Sequence, residues 1–499
     1  MDSLKASLTV IGVATAGGEE SFALSAVRRD EAGLTTFLRF IETDEPVPPS
    51  VLKAQGLPTE ALRAARAIEA VREDFLAFLP PAGIFLAHDA ATVRAWLRRA
   101  LPGAFEHPIL STRELAGILF PSVGSHELRG LAESLSLQTA PASPVPEFRF
   151  AQDTLLTLAL WDLLVEEAES LPAPLVHELY SLFAPLRSHP LCGFFKTRAD
   201  AQRQAGGRRG SGAELRSLFS TEVAPRAEKQ NLDDREWTPV DVAKVEDILG
   251  AHGILAANVR DYEFRREQVE MAIRVTEALN ASRHLVVEAG TGTGKSLAYL
   301  VPAILWAAAN AVPVVVSTNT KNLQSQLLGK DLPLLTGLVA EGVKAAVIKG
   351  RRNYLCVRKL LFAVGHAGLD LSPEERVALA GVLVWAIRTA SGDVSECAAG
   401  AGRPDPELHE LITSDVSECR GPQCEHRSRC FLFRARRRAL SANIVIANHA
   451  VVFAEMSEGD SSPVLPPFRH AILDEAHNLE DAATRGLSTE LSRYRIHFL

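Results

Sequence analysis

One short segment constrains this chain more than any other. The apolar run HLVVEAG is followed at once by TGTGKS and then by the helix-like LAYLVPAILWAAA. A phosphate-binding loop needs a strand, a glycine-rich turn, a lysine and a hydroxyl in this order, because their N–H groups, charge and metal-binding oxygen act together. The segment therefore predicts an α/β domain with a strand over HLVVEAG and a nucleotide site. The residues predicted to bind ATP in the loop are Gly290, Thr291, Gly292, Thr293, Gly294, Lys295 and Ser296.

Each polar residue of the loop has a predicted role. Lys295 would reach the β- and γ-phosphates, and the Ser296 hydroxyl would hold Mg²⁺. Ala289 departs from the common pattern, which begins with glycine. The alternative, a glycine-rich turn with a chance lysine, does not account for the strand-like and helix-like flanks.

An acidic motif further along the chain completes a hydrolytic site. ILDEAH at 472–477 is an apolar strand-like run that ends in two acids. Asp474 would bind Mg²⁺ through its water shell, and Glu475 would orient or deprotonate the attacking water. The sequence thus predicts Lys295, Asp474 and Glu475 as the catalytic residues of a nucleoside triphosphatase.

Composition restricts the setting of this site. An apolar content of 47% can fill cores without cross-links, and six cysteines in 499 residues are too few for a disulfide scaffold. No convincing signal peptide is present, so we expect a reducing cytoplasm, where clustered cysteines more often bind metal. The uncharged run from Ser296 to Thr320 is long enough to span a bilayer, but Pro302 and Pro313 interrupt it. It predicts a buried helix and a buried strand, with no membrane partner.

Two features of the segment CRGPQCEHRSRC at 419–430 and its continuation need an explanation. It places three cysteines in twelve residues, and six arginines with no acid lie between Arg427 and Arg438. By spacing alone, either an iron–sulfur cluster or zinc could use such thiols. The arginines could form a solvated helix face or bind phosphates.

The order of these motifs resembles a known family. AGTGTGKS, STNTKNLQSQL at 317–327 and DEAH, with cysteines between them, are similar to the first motor domain of the DinG/XPD group of superfamily-two iron–sulfur DNA helicases. The resemblance extends to YEFRREQVEMA at 262–272, KGRRNYLC at 349–356, ANHAVVF at 447–453 and DEAHNLED at 474–481. It covers roughly residues 245–485, and it implies a RecA-like P-loop domain with an inserted cluster domain.

The resemblance also assigns ligands. It implies that Gln268 recognises adenine and that a 4Fe–4S cluster is held by Cys356, Cys419, Cys424 and Cys430. It implies contacts to single-stranded DNA and DNA junctions, and Thr318, Thr320 and Gln324 resemble family positions that grip the strand's backbone. Because the family's cluster domain contacts single-stranded DNA, we expect the run after Cys430, with Arg434, Arg436, Arg437 and Arg438, to bind phosphates, without assigning the contact to one arginine. The expected activity is ATP-dependent 5′ to 3′ translocation on single-stranded DNA in repair or replication. We expect Cys397 to be a free surface thiol.

The front of the chain resembles a DnaQ-type exonuclease, which has an RNase H-like fold and binds two metal ions through four carboxylates. At the matching positions stand Gly12, Ala14, Val93 and Asp153, and Phe148 replaces the histidine of that family. One carboxylate of four cannot hold a metal pair. The resemblance therefore implies a degenerate, inactive exonuclease domain.

These observations predict an α/β protein with a domain over 1–170, a linker region over 171–236, and a motor domain over 237–499 with its cluster insertion at about 350–440. No second motor domain follows DEAH, so we expect ATP and DNA binding without unwinding. If the chain end is natural, a second motor domain would be supplied in trans. The alternatives are a non-motor subunit that binds ATP and single-stranded DNA, and a 3′–5′ exonuclease.

Overall fold

The structure is a computed structural model that describes residues 7–15, 21–138, 148–204, 212–221, 232, 235–319, 321–366, 371–399, 406–415, 418–457 and 465–487. Its strands are β1 (Leu8–Thr15), β2 (Ser21–Asp30), β3 (Gly33–Phe40), β4 (Ile84–Ala87), β5 (Ile109–Ser111), β6 (Val314–Thr318), β7 (Ala345–Val347), β8 (Ile444–Asn448) and β9 (His470–Leu473).

The α-helices of the described residues are α1 (Pro49–Ala54), α2 (Ile68–Phe78), α3 (Ala90–Ala100), α4 (Thr112–Leu119), α5 (Leu128–Ser134), α6 (Arg149–Ser170), α7 (Ala173–Phe183), α8 (Pro190–Gln204), α9 (Gly212–Leu218), α10 (Val242–Leu249), α11 (Ile254–Asn258), α12 (Arg266–Asn280), α13 (Lys295–Asn310), α14 (Lys321–Gln326), α15 (Leu332–Leu338), α16 (Val357–His366), α17 (Pro373–Arg388), α18 (Pro406–Ile412), α19 (Phe431–Leu440), α20 (His449–Ser457) and α21 (Leu479–Leu487).

Two compact units share the chain. The N-terminal unit comprises residues 1–220 and 358–412, and the phosphate-loop unit comprises residues 221–357 and 413–499. The chain therefore leaves the phosphate-loop unit after Val357 and returns to it at Thr413. This division differs from the predicted insertion at 350–440, because most of that segment packs in the N-terminal unit.

The N-terminal unit has a mixed five-stranded sheet in the order β3-β2-β1-β4-β5. β2 runs antiparallel to both β1 and β3, whereas β4 runs parallel to β1 and to β5. β1 covers the apolar run LTVIGVAT, and β4 lies within the run GIFLAHD. One side of the sheet buries Ile11, Leu24 and Phe85 against Phe75 and Trp96 from α2 and α3.

Three helices occupy most of the described residues in the range predicted as a linker region, 171–236. In α7, Leu175, Leu179 and Leu182 are buried, and Phe195 in α8 and Phe219 after α9 are also buried. Their apolar residues recur at intervals of three and four, which gives a helix one apolar face. This periodicity determines the local structure although arginine and glycine are frequent in the same stretch.

The phosphate-loop unit has a parallel sheet in the order β7-β8-β6-β9. The prediction of a buried helix and strand within 296–320 is confirmed, since α13 and β6 bury most of their residues. Among the described residues, no helix has both the length and the apolar content needed to cross a membrane.

The predicted strand over HLVVEAG is wrong for this structure. Residues 283–290 have no regular secondary structure, and Val286 is 96% exposed. Within the described residues β9 pairs only with β6, so the run at 283–290 forms no ladder with β9. An apolar segment forms a strand only where a neighbouring strand satisfies its backbone groups.

The packing of Gly12 leads to a stability prediction. A Cβ atom at this β1 position would lie 2.8 Å from Thr154 Cγ2 of α6. We expect Gly12→Ala to lower the free energy of unfolding by about 1–3 kcal/mol through overpacking. Adding Thr154→Ser removes the clashing methyl group and should restore part of the loss, as measured by urea unfolding of both single variants and the double variant. Gly193→Ala is the control, because a Cβ there meets nothing within 4 Å. Strictly additive effects of the two substitutions would contradict the packing.

Candidate nucleotide site and cysteine cluster

The phosphate loop has a backbone that requires glycine at two positions. Gly292 and Gly294 have φ angles of 83° and 77°, in the left-handed region that side chains disfavour. Gly294 is the N-cap of α13, so the first N–H groups of this helix are open to an anion. The Thr293 hydroxyl donates to the Gly290 carbonyl over 2.9 Å and ties the turn together.

The loop meets the acidic motif directly. Lys295 Nζ lies 3.5 Å from Glu475 Oε1, although 180 residues separate them in sequence. Both side chains are about one third exposed, at 31% and 34%, so the pair is accessible to a ligand. The structure thus brings together two of the three predicted catalytic residues.

The third predicted catalytic residue, Asp474, is held by three hydrogen bonds. Its N–H donates to the Ser317 carbonyl over 2.8 Å, which fixes the end of β9 beside β6. Its carboxylate accepts from Tyr299 Oη over 3.1 Å and from the Glu475 N–H over 3.0 Å. Asp474 therefore presents a carboxylate of defined orientation next to α13.

Tyr299 is a site residue that motif analysis missed. It lies three residues after Ser296, so both side chains are on the same face of α13. Burial raises the pKa of the Tyr299 phenol, and the nearby charge of Asp474 raises it further, while a hydrogen bond with Ser296 opposes the shift. The phenol stays protonated and links the Ser296 hydroxyl to the Asp474 carboxylate. Its spacing from Ser296 is the signal that could have identified it.

The backbone at Glu475 is strained. Its φ of 55° lies in the left-handed region, which costs a residue other than glycine on the order of 1–3 kcal/mol. Asn478 Nδ2 donates to the Glu475 carbonyl over 3.3 Å, and His477 Nδ1 lies 3.5 Å from the Glu475 carboxylate. These contacts support a conformation that directs Glu475 toward Lys295.

Gln268 contacts the loop itself. This side chain is 3% exposed, and its Nε2 donates to the Gly294 carbonyl over 2.9 Å. Its Oε1 accepts from Tyr262 Oη over 3.1 Å. The protein thus occupies both ends of the amide, and the predicted contact to adenine stays a prediction.

A buried histidine connects two strands behind the acidic motif. His449, at the start of α20, is 1% exposed, and its Nδ1 lies 2.7 Å from Ser317 Oγ at the end of β6. Burial lowers the pKa of His449, which keeps the ring neutral. Ser317 also binds Asp474 through its carbonyl, so β6, α20 and the acidic motif form one network.

The residues predicted to contact the DNA backbone next to β6 lie in different surroundings. Thr318 ends β6 and is fully buried. Gln324 on α14 is 1% exposed, and neither its oxygen nor its nitrogen has a hydrogen-bond partner among the described residues. Thr320 lies outside the described residues.

The arginines after the cysteine motif do not share one solvated face. Arg434 is 4% exposed and stacks over the Phe431 ring at 4.4 Å, whereas Arg438 is exposed. Arg436 and Arg437 are half-buried, and Arg437 lies 5.6 Å from the Phe433 ring. Arg437 and Arg438 are therefore the arginines of α19 that reach solvent, while Nε and Nη2 of Arg436 are buried.

All four predicted cluster cysteines lie in the phosphate-loop unit. Burial raises the pKa of Cys430, and the charges of Cys356, Cys419 and Cys424 raise it further. Across the described part of the chain, no three histidine, cysteine or acidic side chains converge as ligands of a single ion.

The other two cysteines lie elsewhere. Cys397 was predicted to be a surface thiol, and this prediction is wrong: it is 2% exposed, and burial raises its pKa to about 11. Cys192 is also buried, in α8.

The front-domain positions have no room for a metal pair. Gly12 on β1 packs against Thr154, which fills the space that a larger side chain would need. The remaining carboxylate, Asp153, is bound by Arg129 over 2.8 Å. Burial raises the pKa of Asp153, and the Arg129 charge opposes the shift. Phe148 stacks on Phe150, with 6.4 Å between ring centroids.

Comparisons with known proteins agree with the motifs. A family model described as DEAD/DEAH box helicase matches residues 270–354, and one described as DEAD_2 matches residues 408–496. The ATP-dependent DNA helicase YoaA of Haemophilus influenzae is 35% identical over 50% of this chain and 38% of its own length. The ATP-dependent helicase DinG of Mycobacterium tuberculosis is 42% identical over 46% of this chain and 36% of its own length.

Some relatives align along nearly the whole chain. The 3′-5′ exonuclease DinG of Bacillus subtilis is 28% identical over 99% of this chain and 52% of its own length. The chain thus spans about half or less of the length of these relatives. A solved structure of exonuclease X with 5′ overhanging duplex DNA is 20% identical, covering 32% of this chain and 91% of that chain with a TM-score of 0.26.

Proposed function

We propose that this chain, which carries a DEAD/DEAH box helicase domain over 270–354 and a DEAD_2 domain over 408–496, provides the nucleotide-binding motor part of a DinG-type ATP-dependent DNA helicase. The observation that carries the proposal is the 3.5 Å contact between Lys295 and Glu475. It joins a phosphate loop to an acidic motif, as ATP hydrolysis requires.

The residues of the phosphate loop and of the acidic motif would have different roles in ATP binding and hydrolysis. The N–H groups of the loop and of the first turn of α13 would surround the phosphates, and Lys295 would move from Glu475 to the β- and γ-phosphates. Ser296 and Asp474 would hold Mg²⁺, and both already contact Tyr299. The metal supplies charge neutralisation on the phosphate oxygens when bound. Glu475 would then be free to accept a proton from the attacking water.

The finer fold assignments belong to the same proposal. A parallel sheet with a phosphate loop leading into α13 supports a RecA-like motor domain. In the N-terminal unit, the order β3-β2-β1-β4-β5 with an antiparallel β2 supports an RNase H-like exonuclease fold. The Arg129–Asp153 ion pair and the filled space at Gly12 support a nuclease site that no longer binds metal.

We also propose a 4Fe–4S cluster on Cys356, Cys419, Cys424 and Cys430. The donor set fits, because four cysteine side chains of one unit can supply four thiolates, and the Leu355–Thr413 bridge holds the residue next to Cys356 beside the chain that leads to Cys419. In such a cluster each thiolate binds a different iron, so the ligands are spread more widely than around one zinc ion. Zinc sites also commonly show C-x2-C pairs, which this chain lacks.

Single-stranded DNA and DNA junctions are the proposed partners. Thr318 ends the strand that contacts the acidic motif, so DNA bound there would be coupled to the nucleotide site. Arg436, Arg437 and Arg438 on α19 would bind phosphates without reading sequence. Contacts by Thr320, Gln324 and Arg434 remain part of the proposal, and the buried side chains of Thr318, Gln324 and Arg434 would have to become accessible to DNA. The proposed function also includes movement in the 5′ to 3′ direction and a cytoplasmic location. It further includes a second motor domain, in cis or in trans.

A non-motor subunit that binds ATP and single-stranded DNA is the second candidate. The same loop and acidic motif serve both functions, so only hydrolysis separates them. A chain that binds ATP and never hydrolyses it would favour this candidate.

Glu475→Gln tests the proposed hydrolysis. Single-turnover experiments with the protein in excess over ATP should show hydrolysis slowed about 10²–10⁴-fold, because the amide cannot accept the proton. Binding of Mg-ATP should persist in this variant and be lost in Lys295→Ala, which removes the phosphate contact. Equal hydrolysis by wild type and Glu475→Gln would contradict the assignment.

Cys424→Ser tests the cluster. We expect anaerobically purified wild-type protein to hold about four irons and four sulfides per chain, and the variant to lose most of them. Cys192→Ser is the matched control, since this thiol lies in α8 of the other unit, outside residues 358–412, and should leave the iron content unchanged. One zinc per chain without sulfide would replace the cluster by a zinc site.

A further inference from the structure

Helix α17 belongs to the core of the N-terminal unit, although it lies between Cys356 and Cys419 in sequence. Almost all of its side chains from Arg376 onward are buried, including Leu379, Leu383 and Trp385. A helix that is apolar on every side is stable only inside a core. Its neighbours in this core are α4 and α7, from the first part of the chain.

Polar contacts fix both ends of α17 to that core. Arg376 is 3% exposed, and its Nη1 donates to the Leu182 carbonyl at the end of α7 over 3.0 Å. At the other end, Arg388 donates to the Leu119 carbonyl over 2.8 Å and to the Glu167 carboxylate over 2.5 Å. The Ala398 N–H donates to the Pro121 carbonyl over 2.6 Å.

The contact between α17 and α4 depends on a glycine. A Cβ atom at Gly381 would lie 2.6 Å from the Gly117 carbonyl oxygen and 2.7 Å from Ala399 Cβ. The backbones of α17 and α4 therefore approach each other directly at Gly381 and Gly117. Gly365 in α16 gives the opposite case, because a Cβ there meets nothing within 4 Å.

The points where the chain changes units lie beside the cysteines. Cys356 comes just before the crossing into the N-terminal unit, and Cys419 follows shortly after the return at Thr413. Within the phosphate-loop unit, Leu355 and Thr413 form an antiparallel bridge, and the Ser414 N–H donates to the Tyr354 carbonyl over 3.0 Å. The two ends of the excursion are thus held side by side.

We propose that the N-terminal unit serves as an assembly platform for the cysteine cluster. By folding around residues 358–412, it closes the long loop between Cys356 and Cys419 and presents the first thiol to the other three. Closing a loop of this length costs conformational entropy, and metal ligands are rarely brought together before folding. A unit without nuclease chemistry therefore keeps a structural function in the same protein. The packing stands independently of the proposed function, and its consequence for metal binding rests on the proposed cluster.

The first experiment cuts the chain while it is folded. A protease recognition sequence is placed within residues 222–231, which lie outside the described residues, and the purified protein is cleaved and run on a sizing column in native buffer. Because residues 358–412 complete the N-terminal core, the fragment 1–221 should coelute with the remainder. Gly381→Ala should release the fragment, whereas Gly365→Ala should not. A wild-type fragment that elutes alone as a folded domain would overturn the proposal.

The second experiment measures iron in the uncut full-length chain. We expect Gly381→Ala to hold less than about half of the wild-type iron and Gly365→Ala to match wild type, since both substitutions add the same methyl group to a helix. Binding of Mg-ATP, which uses the other unit, should be equal in both variants and show that the chain has folded. If Gly381→Ala holds as much iron as wild type and the cut variant also retains fragment 1–221, the proposed platform is overturned. Absence of iron from wild type would instead remove the cluster, while the cut chain still tests the packing.

Discussion

The contact between Lys295 and Glu475 joins the two ends of the phosphate-loop unit and depends on most of its structure. Lys295 starts α13, and Glu475 follows β9, so their 3.5 Å approach requires helix and strand to sit on the same parallel sheet. The Asp474 N–H bond to Ser317 sets β9 against β6 at the position where both strands end. Parallel sheets collect their functional loops at the carboxyl ends of strands, and this site follows that rule.

Around this contact, backbone conformation and side-chain hydrogen bonds act together. Gly292, Gly294 and Glu475 all have positive φ angles, so the loop and the acidic motif both depart from ordinary backbone geometry. Tyr299 donates to the Asp474 carboxylate, and Gln268 donates to the Gly294 carbonyl. These hydrogen bonds stabilise the unusual backbone conformation. Because Lys295 is paired with the Glu475 carboxylate, binding of ATP would require the lysine to exchange that partner for phosphate.

Local motifs revealed the chemistry of this chain better than its packing. Lys295, Asp474 and Glu475 could be identified because loop and acidic motif each carry their chemistry within a few adjacent residues. Tyr299 and His449 were missed, since their roles depend on contacts with Asp474 and Ser317 that no short motif encodes. The prediction of a strand over HLVVEAG was wrong because a strand needs a neighbouring strand to pair with. The sequence of a single segment does not show whether that neighbour is available. The prediction of a surface thiol at Cys397 was wrong because its segment is polar and glycine-rich in sequence. The segment follows α17, which is packed in a core, and Cys397 is buried there.

The proposed Mg-ATP site requires Ser296, Tyr299 and Asp474 to act together in binding metal and phosphate. The most direct test is calorimetric titration of ATP into wild type and Tyr299→Phe over a range of Mg²⁺ concentrations. We predict one site per chain, and a Mg²⁺ requirement raised roughly tenfold in the variant, because a hydrogen bond to a carboxylate contributes about 1.5 kcal/mol or more. Equal ATP affinity with and without Mg²⁺, or the same Mg²⁺ requirement in both proteins, would contradict it.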